Sequence, residues 1–200
     1  MALNFDSRIS AFEQLGLWLE HFLKEVENNR FTDDFNSEFQ AIIERQSREN
    51  GWFTQYNIYS SLAAIRDNLQ AESLNNLRFV YGNRIATSWQ EKIVAVVTGA
   101  FFPLVSFYDF MVVLLTGNVL QIKLHADDKL LLPKIAQKLM EIEPDFSEKI
   151  QFVDQLHDFE RVIITEENGH SEVLCQYFSK YPMFVHRRQR AAAILTGNET

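Results

Sequence analysis

A single cysteine in 200 residues means that this chain cannot close a disulfide within itself. Thiols used so sparingly fit a reducing compartment, and a cytoplasmic setting is the expectation. Glycine and proline are scarce too, at 7 and 4 residues, and they gather into no linker, low-complexity stretch or internal repeat. Positive charge is thin: the formal net charge is -8 at pH 7, and the sole basic cluster is the short His186-Arg187-Arg188-Gln189-Arg190. This argues against nucleic acid as a partner and leaves the cluster as a solvated loop or strand end. The opening residues MALNFDSRISAFEQLG carry acids and no apolar h-region, so they do not read as a signal peptide. No spacing of ligand residues calls for a metal. Residues 93–115 are apolar enough for a hydropathy window to propose a membrane span. Thr98-Gly99, Pro103 and Asp109 interrupt them, however, and a carboxylate at mid-bilayer costs roughly 2.5–3.5 kcal/mol. No membrane span is expected.

What the chain does have is core-forming material, with 46% hydrophobic and 13% aromatic residues, enough for one domain or two small ones. Its N-terminal third reads as helices. Phe12, Leu15, Leu17, Leu19, Phe22 and Leu23 give a loose 3.6-residue stripe over residues 8–26, and Phe35, Phe39, Ile42 and Ile43 give a second. Thr54 is placed to cap a third helix holding Ile58, Leu62 and Ile65. Aromatic residues on these faces read as core packing. Gly82-Asn83 is the turn signal expected to close the helical region.

From Lys92 to Pro133 the pattern changes to strand, turn, helix, strand and turn. Ile93–Val97 is a short β-branched run that suits a strand buried on both faces, and Thr98-Gly99-Ala100 breaks it. Pro103 suits the first turn of a helix running through Leu115, with Gly117-Asn118 as its stop signal. Residues 119–124 resume as a strand. Two like strands joined by a helix imply a right-handed parallel crossover, and such sheets bind ligands at the carboxyl ends of their strands. Further on, residues 134–143 read as a helix ended by Pro144. Residues 150–153 and 161–165 read as strands, 169–180 as a helix, and 183–185 and 191–195 as two more short strands. Six strands with helices between most of them make an α/β fold. Cys175 stands at helical spacing with Leu174 and Phe178, and reads as a buried, inert thiol.

Several short motifs fall in a telling order. They are Pro103-Leu104-Val105-Ser106-Phe107-Tyr108-Asp109-Phe110, Ile122-Lys123-Leu124 with Asp128-Lys129, Val162-Ile163-Ile164-Thr165, Lys180-Tyr181-Pro182, and Leu195-Thr196-Gly197-Asn198-Glu199-Thr200. The string resembles the LuxC-type fatty acyl-CoA reductases, a branch of the aldehyde dehydrogenase superfamily. The likeness is densest from residue 92 onward; earlier it rests on Asn50-Gly51-Trp52-Phe53-Thr54 and on helical character. It implies a Rossmann-like parallel sheet of the aldehyde dehydrogenase type over residues 89–200, preceded by a helical region over residues 1–88.

The resemblance also implies a reaction: an acyl group passes from acyl-CoA to a cysteine, and a nicotinamide cofactor, usually NADPH, delivers hydride to release the aldehyde. The family's nucleophilic cysteine lies beyond the LTGNET segment. The expectation is therefore a cofactor-binding portion, inactive alone, whose uncovered surface favours a homo-oligomer. The cofactor-binding residues it implies are Thr98 and Gly99 after the first strand, Lys123 and His125 after the second, and Thr165 after a later one. Lys123 would reach the adenine ribose or a 2′-phosphate, and Ala126, where NAD-specific relatives commonly carry a glutamate, leans toward NADP. His125 is read either as a contact to adenosine or as an exposed turn residue. Two departures weaken the site. Glu166 and Glu167 replace a Gly-Ser pair expected at the pyrophosphate, and Phe101 replaces an asparagine expected to donate to an oxyanion. The alternative function is thus a catalytically dead reductase-like protein serving as a binding or interaction module.

Overall fold

The computed structural model describes residues 3–87, 90–166 and 171–187. Four helices come first: α1 (Phe5–Glu27), α2 (Asp34–Glu49), α3 (Gln55–Asn68) and α4 (Ala71–Thr87). The first three begin where a side-chain oxygen satisfies an orphan N–H of the opening turn. Asn4 Oδ1 accepts from Ser7 N at 2.8 Å, Asp33 Oδ1 from Asn36 N at 2.7 Å, and Thr54 Oγ1 from Asn57 N at 3.2 Å. Buried Glu25 ties α1 to the start of α2, accepting from the N–H and hydroxyl of Thr32 and from Asn36 Nδ2.

The remainder is α/β. Strands β1 (Ile93–Val97), β2 (Val119–Lys123), β3 (Ile150–Phe152), β4 (Arg161–Glu166) and β5 (Met183–Arg187) alternate with α5 (Phe107–Leu115), α6 (Leu131–Ile142) and α7 (Ser171–Tyr177). Every strand pairing is parallel, in the order β3-β2-β1-β4-β5, with Ile93 opposite Val119 and Val94 opposite Arg161. Chain order therefore runs outward from β1 in one direction and resumes from β4 in the other, which makes β1/β4 the point where the strand order reverses.

The period of two along each strand sends alternate side chains to two layers. Val94, Val96, Leu120 and Ile122 join α1, α5 and α6 in the main core, whereas Ala95, Val162 and Ile164 meet Phe178 on the other face. The N-terminal helices and the first face of the sheet share one core. Phe12 of α1 stands edge-to-face with Phe110 of α5 at 6.3 Å and with Phe146 at 5.9 Å. The second face is covered more thinly, by α7 and by residues 153–160, which bring Leu156 and Phe159 across it on the way from β3 to β4.

Several local expectations change. Gly82 and Asn83 lie inside α4 instead of ending it, because Gly82 sits against the Phe5 ring without steric demand and a lone glycine only weakens a helix. The helix expected at Pro103 begins at Phe107. Leu104 adopts φ +61°, which no helix accommodates, so residues 103–106 are turns. Leu17 points to solvent at 54% exposure, outside the stripe formed by Phe12, Leu15, Leu19 and Phe22. Cys175 is partly exposed, since the buried Phe178 follows α7 while Val173 and Tyr177 of the helix itself face water. Gly117 takes φ +74° directly after α5, the stop that the sequence signals. No helix among the described residues is long and apolar enough to cross a membrane. Glu167, the strand expected over residues 191–195 and the LTGNET segment lie outside the described residues.

Candidate functional site

The carboxyl ends of β1, β2, β4 and β5 bring together residues far apart in sequence. Thr98 follows β1 and fastens it to the exit of β2: its N–H donates to Lys123 O at 3.2 Å, and its hydroxyl oxygen accepts from His125 N at 2.9 Å. Thr98 is buried and structural in its immediate contacts. Gly99 sits at the β1/β4 reversal. A β-carbon there would lie 3.0 Å from Thr165 O and 3.3 Å from the Phe101 ring, so any side chain would have to press its neighbours back by a few tenths of an ångström. The Phe101 ring takes up the space that the missing side chain leaves.

Lys123 closes β2 with its side chain exposed, and among the described residues it makes no ion pair. It is an exposed cation at the carboxyl edge of the sheet. His125 is exposed as well, and its Nδ1 accepts from Asp127 N at 3.2 Å, capping the short 3-10 helix Ala126–Asp128. Its turn-capping role is thereby observed.

Thr165 belongs to a cluster that sequence reasoning missed. Its hydroxyl donates to Asp109 Oδ2 at 2.6 Å, and Asp109 Oδ1 lies 2.9 Å from His186 Nε2. Asp109 is in the first turn of α5 and only 7% exposed. A carboxylate so placed sits favourably at the positive end of the helix dipole and is partnered on both oxygens. The arrangement has its carboxylate in the middle, so the imidazole does not reach the Thr165 hydroxyl and no nucleophile-base pair results. It locks β4, β5 and α5 together beneath the crevice. A signal for it existed: Asp109 is the one charged residue between Lys92 and Lys123.

Two clefts occupy the opposite, amino, end of the sheet, where Glu91, Gly117 and Lys149 precede β1, β2 and β3. They share Phe5 and Ile85 and measure about 240 and about 400 Å³. The larger is lined almost wholly by apolar side chains, and in the smaller Lys149 is paired with Glu91. None of the residues selected from the sequence lines either cleft. These two clefts and the convergent polar groups are thus at opposite ends of this sheet among the described residues, and the chemistry favours the carboxyl end. Among the described residues no group of three or more His, Cys, Asp or Glu side chains is placed to hold a metal ion. No protein-family model matches this chain, and no curated protein matches it.

Proposed function

We propose that this chain carries the NADP-binding region of an acyl-CoA reductase, the reading that its motif order implies. The observation that carries it is Lys123, an exposed ammonium at the carboxyl end of β2 that makes no ion pair among the described residues, beside a strand-order reversal with a glycine at its centre. A nicotinamide cofactor bound there would supply hydride to an acyl thioester. This chain's own part is to bind and orient. Lys123 would pair with a 2′-phosphate, no carboxylate at Ala126 repels it, and the Gly99 backbone offers close approach.

The reading of a catalytically silent binding module is favoured by one specific observation, the Phe101 ring packed on Gly99. It offers no amide donor and narrows the cradle. Glu166 is the last residue of β4.

Calorimetric titration with NADPH and NADH at fixed salt separates these readings. The parent should prefer NADPH, and Lys123→Ala should erase about fivefold of that preference, the worth of roughly 1 kcal/mol for an exposed charge pair. Phe101→Ala should tighten both cofactors. Equal affinity for the two in the parent, or no heat from either in both parent and Phe101→Ala, would remove the cofactor reading.

A further inference from the structure

The β1–α5 connection, residues 98–106, runs along the carboxyl edge of the sheet and contains no charged residue. It is fastened to the exit of β2 at its start by the Thr98 hydroxyl and His125 N–H, and at its middle by the Asp128 side chain. There the Leu104 N–H donates to Asp128 Oδ2 at 3.0 Å. Leu104 is buried and left-handed, at φ +61°, a conformation that a side-chain-bearing residue keeps only when its surroundings hold it there.

Asp128 is 3% exposed, and its Oδ1 is buried with no hydrogen-bond partner. Buried acids elsewhere in this protein are handled differently: Glu25 and Asp109 each receive donors on both oxygens. A carboxylate with one dry, unpartnered oxygen is costly, whereas the neutral acid carries its proton on Oδ1 and still offers Oδ2 to Leu104. Burial raises the proton affinity of Asp128 and the Leu104 N–H opposes it, with the balance at about 7. No charged neighbour contributes to that balance. On its own turn His125 and Asp127 face each other at 3.6 Å in solvent, and Lys129 is exposed. On α2, Gln46 Nε2 donates to Asp127 O, Arg45 pairs with Glu49, and Arg48 is exposed. On α6, Lys134 pairs with Glu38 of α2 at 2.7 Å.

We propose that Asp128 is a protonation-sensitive latch on the β1–α5 loop, closed when its carboxyl carries a proton and released when the bare carboxylate draws water into the turn. Release lets Leu104 leave its left-handed conformation and loosens the loop at the carboxyl edge of the sheet. The opening is local, because β1, β2 and β4 keep their pairing without this contact. The device does not depend on which ligand the crevice takes.

Hydrogen exchange of the intact chain, corrected for intrinsic rates, reads the latch directly. Between about pH 6 and about pH 8, amides of residues 98–106 should lose protection about tenfold while those of β1, β2 and β4 do not. Asp128→Asn keeps an acceptor for Leu104 N–H without a titrating proton, so its loop should be equally protected at both values. Equal protection in the parent, or a loss that persists in Asp128→Asn, would overturn the proposal. Should that variant not fold, carbon NMR of the parent's Asp128 carboxyl decides. A titration that tracks the loss of loop protection supports the latch, and one completed below about pH 5 sinks it.

Discussion

Asp109 and Asp128 show how burial sorts two acids that the sequence presents alike. Both belong to the motif string, yet their environments depend on partners that come late in the chain or on a backbone bend. Asp109 finds Thr165 and His186, 56 and 77 residues on. Those distances explain why a sequence reading sees a carboxylate interrupting an apolar run and cannot see what satisfies it. The placement of Thr98, Gly99 and Lys123 at strand ends was legible because the β-branched pattern of β1 and β2 is local; the contacts of Thr165 were not. Asp128 also makes stability depend on pH. Its folded pKa is raised, so the native state holds a proton that the unfolded chain releases. That contribution is fully present below the ordinary aspartate value of 3.8, fades as pH rises toward about 7, and is gone above it. Urea unfolding at pH 5 and pH 8 should show the parent losing on the order of a few kcal/mol more than Asp128→Asn over this window. An identical pH dependence in both would mean that Asp128 is solvated and ionised as in the unfolded chain.

At the level of elements, what came through clearly were the segments whose signal is periodic or capped. β1 was legible to the residue, and α3 begins at the cap that Thr54 announces. The α5 boundary was not, since Pro103 is a sound helix-start signal that is overruled by Leu104, and Leu104 is held by Asp128 from 24 residues away. The end of α4 failed for a different reason. Gly82-Asn83 is a turn dipeptide by composition, but the helix continues through it because Phe5 packs on that face and no φ change is required. This has a measurable consequence. A β-carbon at Gly82 would meet the Phe5 ring at 3.6 Å, ordinary van der Waals contact. Gly82→Ala should therefore stabilise the protein by about 0.5–1 kcal/mol through helix propensity and reduced freedom of the unfolded chain. A loss of stability in thermal or urea melts would mean that the position is not helical.

For the molecule as a whole, the unequal covering of the sheet is what matters. The first face carries α1, α5 and α6 and shares their core, whereas the second has α7 and a short crossing segment. Among the described residues β5 is an edge strand, and the apolar surface near it is generous: Phe184 is 60% exposed, Val173 66% and Tyr177 77%. An edge strand flanked by exposed aromatic and β-branched side chains is a template for pairing with another chain. The opposing influence is the net charge of -8, which keeps copies apart at low ionic strength. Self-association should therefore be weak in dilute buffer and strengthen as salt screens the repulsion, with the Debye length falling to about 8 Å near physiological ionic strength. Phe184→Lys puts a charge on the edge where natural sheets place one, and should shift the equilibrium toward monomer and reduce binding of a hydrophobic dye. Sedimentation velocity across a concentration series at two salt levels checks both arms. A monomer at every concentration would remove the expectation of a homo-oligomer. Association indifferent to Phe184→Lys would move the contact away from β5, to the exposed aromatic flank of α4 where Phe79 is 90% exposed.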